Sequence, residues 1–178
     1  MTIELKAAFD PRAFRRALGQ FPTGVCVVTC LAGAERLGMT MSSFNSLSLD
    51  PPLILFSIDR CAASLPLWER AERYAVNILS ENQREVSNRF ARPHSNKWEG
   101  ARLARESGEP AALAGAAAVF DCAPWARHEA GDHILFLARV TQFWSNPDRK
   151  PLIFSQGQYA TLQPTEFAAP LGPLDSHY

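Results

Sequence analysis

Apolar positions along this chain fall in short runs and alternations, not in long helical stripes. The segment GVCVVTC is dense in β-branched residues, and the LAGAERLG that follows supplies glycines for a connection back into Gly38 onward, so the two predict a first strand pair. The runs PPLILFSI and RYAVNIL are short, apolar and bounded by polar residues, and predict strands buried on both faces. AAAVFDCAPW, HILFLARVTQFW and GQYATL predict three more strands, with a turn at Gly131–Asp132.

Helical signals are fewer. Asp10 before Pro11 sets a capping carboxylate ahead of a proline at the first helical position, predicting a helix over residues 11–20, with Phe9 and Phe14 placed as a hydrophobic staple. SLPLWERAE predicts a short helix capped by Ser64. SENQREVSNRF opens with Ser80 and Gln83 at capping-box spacing and sets Val86 and Phe90 on one face. From Arg92 to Gly115, prolines, glycines and charges predict a mobile surface excursion with one helical turn. Six or so strands with too few helices to alternate with them favour an antiparallel β-barrel with helical additions over a doubly wound sheet. Neither a repeat nor a linker is visible. Residues 1–162 read as one domain and 163–178, with Pro164, Pro170 and Pro173, as an extended tail.

Composition narrows the partner. At 178 residues with 47% hydrophobic content, the chain suits one globular domain, and its formal net charge of zero lacks the footprint of a nucleic-acid or anionic-membrane binder. The start MTIELKAAFD has neither the basic nor the apolar region of a secretory signal, and no apolar stretch approaches the ~20 residues that span a bilayer, so a cytoplasmic location is expected. Cys26, Cys30, Cys61 and Cys122 show no metal-binding spacing, and no metal is expected. On a strand, Cys26 and Cys30 would stand ~13 Å apart, too far for a disulfide, so all four are expected to be buried free thiols.

One stretch does not fit a simple strand. GMTMSSFNSLSL carries Thr40, Ser42, Ser43, Ser46 and Ser48 between two apolar segments. Serine-rich loops ordinarily spend their hydroxyls on local backbone bonds. At a strand edge, however, such groups and the backbone offer alternating donors and acceptors to a flat heteroaromatic ring or a phosphate.

Taken in order, FPTGVCVVTC, GMTMSSFNSLSLDPPLILFSIDR, YAVNILSENQREVSNRFA, AGDHILFLARV and PLIFSQGQYATL resemble the short-chain flavin reductase family, the reductase components of two-component flavin-dependent monooxygenases. The 4-hydroxyphenylacetate hydroxylase reductase is one such protein, and the resemblance covers about residues 14 to 162. It implies an FMN-binding split barrel, a homodimer, and reduction of FMN or FAD by NADH or NADPH, the reduced flavin leaving for a separate oxygenase. Under this resemblance Thr40, Met41, Ser42, Ser43, Phe44 and Ser46 would lie along the flavin ring and ribityl chain, largely through backbone groups. Ser57, Cys61, Ala62 and Ser64 would sit near the phosphate, with Phe90 and Ala91 closing the site.

A lone histidine is ordinarily a surface residue. Within AGDH, the family motif would put His133 against the nicotinamide as an orienting catalytic residue, flanked by Gly157 and Tyr159, while His94, His128 and His177 match no motif. Trp98 stands where many relatives have phenylalanine, and Cys61 where others have small or charged residues. The alternatives are a flavin-storage module and a pyridoxamine-phosphate-type oxidase. AGDH argues against both, since a pure binder has no use for a histidine on the nicotinamide side.

Overall fold

The computed structural model describes residues 10–93, 96–105 and 109–163. The expected tail from Pro164 onward, the staple residue Phe9, His94 and His177 lie outside them. Asp10 caps α1 (Pro11–Leu18) as expected, its carboxylate accepting from the Arg12 N–H at 2.9 Å. After β1 (Thr23–Gly24), the β-branched run forms β2 (Cys26–Ala32), which turns through Gly33 into β3 (Glu35–Met41). A second hairpin joins β4 (Asn45–Leu49) to β5 (Pro52–Asp59), followed by α2 (Leu65–Arg70) and β6 (Tyr74–Ile78). The Ser80–Gln83 capping box opens a 3-10 turn that runs into α3 (Arg84–Ala91). Then come β7 (Leu103–Arg105), β8 (Ala112–Leu113), the long hairpin of β9 (Ala118–Ala130) and β10 (His133–Ser145), β11 (Ile153–Ser155) and β12 (Gln158–Ala160). Among the described residues, no helix is long and apolar enough to cross a membrane.

Seven of these strands form one antiparallel sheet in the order β3-β2-β6-β9-β10-β5-β4. Its two edges, β3 and β4, are separated in the chain only by Ser42, Ser43 and Phe44. That link reaches at most ~14 Å, whereas seven strands laid flat would span roughly 29 Å from edge to edge. The sheet must therefore curl until its edges approach, giving a barrel split along the β3–β4 seam, the expected fold.

The barrel encloses an apolar core in which Phe56 stacks on Phe136 (centroids 5.2 Å apart) and Tyr74 meets both rings edge-on. A second cluster, with Val27, Leu79, Phe90, Leu113 and Leu152, covers the outer side of β2 and β6. Both faces of β6 are thus buried, as predicted. The same expectation fails for β5. Ile54, Phe56 and Ile58 are buried, but Leu53, Leu55 and Ser57 on the opposite face are only half-buried, because α3 and the segment after it pack on the β2–β3–β6 side and leave the outer face of β5 without a covering layer.

The Arg92–Gly115 excursion also differs from expectation. Its described part holds tight turns over 96–101, closed by Glu99 N–H on Asn96 O (3.3 Å) and Ala101 N–H on Trp98 O (3.0 Å), then the unforeseen β7–β8 pair, and Ala111–Leu113 return beneath the sheet, fully buried. Asn77 fastens them there. Its Nδ2 donates to Val27 O (3.0 Å), Ala75 O (3.2 Å) and Ala111 O (3.3 Å), its Oδ1 accepts from Leu113 N–H (2.7 Å), and the Thr29 hydroxyl donates to Ala111 O (2.8 Å). The cysteines are free, and Cys26, Cys30 and Cys122 are buried. Cys61 is the exception, exposed because it sits in the turn after β5, where the sheet has ended.

Candidate functional site

The hydroxyl-rich stretch occupies the seam. Ser43 Oγ accepts from Ser57 N–H at 3.0 Å and donates to Ser57 C=O at 3.3 Å, so one hydroxyl ties the link to β5 in both directions. Met41 turns into the core, while Phe44 stacks on Phe120 (5.9 Å), which in turn stacks on Phe143 (6.2 Å). Ser42 and Ser46 are exposed. The seam therefore offers hydroxyls and edge backbone to solvent above an aromatic row.

Beside it lies a cleft of about 690 Å³, walled by residues 35–40 of β3, by Cys61–Ser64 with Trp68, and by Ala91, Pro93 and Asn96–Trp98. Each wall is held by long-range bonds. Thr40 Oγ1 donates to Ser87 O on α3 (2.7 Å). The Asp59 carboxylate accepts from Cys61 N–H (2.7 Å), shaping the turn into α2. Ser64 precedes α2 but makes no side-chain cap; its hydroxyl accepts instead from Trp68 Nε1 (3.2 Å), because the indole folds back over the first turn. Lys97 Nζ donates to Gly38 O (3.1 Å) and Phe90 O (3.0 Å), and partial burial lowers its pKa from the ordinary lysine value. Trp98 Nε1 donates to Arg36 O (3.0 Å), and the Arg36 guanidinium lies over the indole, 5.2 Å from its centroid. Phe90 is fully buried beneath these groups, edge-on to Trp98 at 5.0 Å. Only glycine fits at position 38, where a Cβ would stand 2.5 Å from the Phe90 ring.

Thr40, Cys61, Ala62, Ser64 and Ala91 are therefore brought together in the cleft, and Ser43 and Ser57 at the seam. His133, Gly157 and Tyr159 are not among the cleft's walls. His133 starts β10 opposite Asp59, two residues from Cys61, with Nδ1 2.7 Å from Asp132 Oδ1. The histidine holds the Asp132 carboxyl below its usual range, by this hydrogen bond first and by charge second. The contact uses Nδ1, and the half-exposed ring keeps Nε2 without a hydrogen bond to the described residues. Gly157 turns β11 into β12 with φ +78°. Tyr159 lies behind α3, its hydroxyl 2.8 Å from both Ser87 Oγ and Asn88 Oδ1, so it shares Ser87 with Thr40. His128 sits exposed on β9.

Sequence reasoning did not place Arg36, Lys97 or the indole of Trp98 in a site. The available signal was the KW pair standing alone among polar residues, but its partners lie on β3, about sixty positions away. The donor set suits a phosphate-bearing planar group: a lysine ammonium and the hydroxyl-bearing turn at Cys61–Ser64 at one side, and hydroxyls over an aromatic row at the seam.

Comparison with known proteins agrees with this chemistry. The family described as "Flavin reductase like domain" matches residues 18–163. The chain is 39% identical over 158 residues to a flavin reductase of Pseudomonas putida, an alignment covering 87% of this chain and 92% of that protein. It is 44% identical over 139 residues to the reductase subunit of stachydrine N-demethylase from Rhizobium meliloti (strain 1021), covering 78% of this chain but spanning only 60% of that relative. Among solved structures, the NADH:FAD oxidoreductase of Streptomyces globisporus C-1027, in complex with NAD and FAD fragments, superposes with a TM-score of 0.81 at 35% identity, covering 90% of this chain and 99% of that one.

Proposed function

The chain belongs to the flavin reductase-like family, and on that premise we propose that it is an NAD(P)H:flavin oxidoreductase that supplies reduced FMN or FAD to a separate flavin-dependent oxygenase. The observation that carries the reading is the continuity of the hydroxyl-bearing seam with the cleft, both inside the matched residues. When bound, the two rings supply the chemistry, a hydride passing from nicotinamide C4 to flavin N5. The chain's part is positioning and exclusion of water. Backbone groups from Thr40 to Phe44, including those of Ser43, whose hydroxyl fixes the link to Ser57, hold the ring edge together with the hydroxyls of Ser42 and Ser46, and fixed donors there favour negative charge on the ring. Ser57, Cys61, Ala62 and Ser64 receive the ribityl phosphate, with Phe90 backing the wall that Ala91 presents. His133 orients the nicotinamide from the β9–β10 turn, and Gly157 and Tyr159 bound the same side from β11–β12.

The name of the Rhizobium meliloti relative, a reductase subunit, supports an oxygenase partner. A homodimer completes this reading. The half-buried outer face of β5, the exposed Leu47 and Leu49 of β4 and the exposed Phe143 at the end of the aromatic row all ask for a covering layer, which a second copy would provide.

Stopped-flow reduction of flavin-loaded protein tests the proposal. His133→Ala is expected to keep its flavin affinity while the hydride-transfer rate falls, or the nucleotide KM rises, by about tenfold, the scale of one positioning contact. Flavin binding without oxidation of NADH or NADPH by the unmodified protein would sink the reductase reading and leave the storage module.

A further inference from the structure

Placing Tyr159 on the donor side uses its ring and leaves its hydroxyl unassigned. That hydroxyl stands 2.8 Å from both Ser87 Oγ and Asn88 Oδ1 on α3. The Asn88 carbonyl oxygen can only accept, so the phenol donates its single proton there and accepts from the Ser87 hydroxyl. Ser87 is fully buried, and its own carbonyl accepts from Thr40 Oγ1 at 2.7 Å. One helical residue is thus gripped from β12 on one side and from β3 on the other. Along its length the helix otherwise seats by apolar contact, Val86 and Phe90 packing with Val27, Leu79 and Leu152, and Lys97 holds its last turn at Phe90 O. Apolar contact is non-directional and lets a helix slide or roll, whereas hydrogen bonds fix its register. The ring of Tyr159 is itself held, edge-on to Phe154 at 5.5 Å, so its hydroxyl has a set position from which to grip.

The consequence reaches the cleft, because Thr40 and Ala91 both wall it and α3 carries Ala91. Thr40 spends its one hydroxyl proton on Ser87, so toward a ligand its oxygen can only accept. A flavin offers matching donors in its ring N3–H and its ribityl hydroxyls. We propose that Tyr159 is a positioning residue for the flavin wall: through Ser87 its hydroxyl seats α3 and keeps Thr40 an acceptor in the cleft. The inference rests on the flavin-reductase reading and adds to it a link from β12 to the residues that hold the flavin.

The test uses FMN or FAD, whichever the unmodified protein binds more tightly. It measures the flavin dissociation constant by fluorescence quenching, the KM for NADH at saturating flavin, and the urea unfolding midpoint of the flavin-free protein. The variants are Tyr159→Phe, Thr40→Val, Thr40→Ser and the double variant Tyr159→Phe/Thr40→Val. Tyr159→Phe keeps the ring and is expected to raise the flavin dissociation constant roughly fivefold, the scale of one hydrogen bond, with the KM for NADH unmoved. Thr40→Val is expected to weaken flavin binding by at least as much, while Thr40→Ser, which keeps the hydroxyl, retains it. The double variant should bind flavin no more weakly than Thr40→Val alone, since both changes cut the same link. Losses that multiply in the double variant overturn the inference, as does a higher KM for NADH at unchanged flavin affinity, which would confine Tyr159 to the donor side. A merely structural role would lower the unfolding midpoint and leave the flavin affinity of the folded protein unchanged, and that result also overturns it. Ser87→Ala cuts the link from the helix and carries the test should Tyr159→Phe fail to fold. Binding of neither flavin by the unmodified protein overturns the inference together with the reading beneath it, whereas flavin binding that Tyr159→Phe leaves unmoved overturns the inference alone.

Discussion

The β2–β6 wall and the β4–β5 arm belong to one sheet, yet they treat their polar groups in opposite ways. In the wall both faces are covered, and the polar side chains that enter it are consumed: Thr29 and Asn77 are fully buried, with every Asn77 amide atom bonded to backbone from three separate segments. In the arm and its seam one face stays uncovered. Ser42 and Ser46 are exposed, and Ser43 spends a single hydroxyl on Ser57. A buried polar group must be satisfied internally or it costs stability, so the wall can only use such groups as fasteners. Where solvent still reaches, the same atom types can be kept for a ligand. Position in the sheet, more than residue type, separates scaffold from site.

The sharpest way to break this contrast is to remove one fastener. Asn77→Ala strips the Leu113 N–H of its acceptor and removes one donor from each of three carbonyls, of which Ala111 O keeps the Thr29 hydroxyl, and is expected to lower unfolding free energy by about 3 kcal/mol in urea titrations. Ser43→Ala at the half-buried seam is expected to cost about 1 kcal/mol or less while weakening flavin binding. Equal losses in the two variants would erase the distinction.

The thiols divide along the same line and respond to pH. Burial pushes Cys26 up to about 12 from an ordinary value of 9.0. Cys30 and Cys122 rise likewise, by burial first and then by the nearby Glu35 and Asp121 respectively. Between pH 9 and 12 the unfolded chain releases protons that the folded wall retains. The stability these thiols contribute is therefore whole below pH 9 and is lost as pH rises toward 12. For Cys26 the slope is about 1.4 kcal/mol per pH unit. Urea unfolding at pH 8 and pH 10 checks this, and Cys26→Ala should flatten the dependence.

The smallest expected effect on the fold, though not on assembly, comes from covering the arm. Light scattering should give a particle of twice 19.7 kDa. Phe143→Glu, at an exposed position, should return it to the single mass while changing the stability of the isolated chain by less than about 0.5 kcal/mol. A monomer in the unmodified protein would mean that the arm is uncovered by nature.

What the sequence disclosed follows from the range of the interactions involved. The α1 cap at Asp10, the Ser80–Gln83 box and the Gly131 turn are settled within four residues, and each was legible. The strands β2, β5, β6, β9 and β10 were legible because their short apolar runs need no partner to be seen, whereas β4, β7 and β8, short and poor in β-branched residues, were not predicted. The one-sided burial of β5 was not, since an apolar run reads the same whether or not a layer happens to cover its outer face. The return of Ala111–Leu113 beneath the sheet depends on Asn77 and Thr29, tens of residues earlier. The contact of Arg36 with Trp98 likewise joins positions about sixty residues apart. For the seam residues, the resemblance supplied what pattern could not: why so many hydroxyls stand between two strands.

The three-residue link that joins the sheet's opposite edges also makes the site a reporter of completeness. The β2–β3, β4–β5 and β9–β10 hairpins can each form from neighbouring chain, but the seam exists only after β2 has found β6 and β5 has found β10. A partly folded chain has both shores of the seam and no strait between them. A ligand that recognises the seam therefore binds the finished barrel and nothing before it, so its binding energy is added in full to the stability of the whole domain by mass action. Flavin binding thereby separates closed from unclosed chains, since a chain whose sheet has failed to close has no seam to offer.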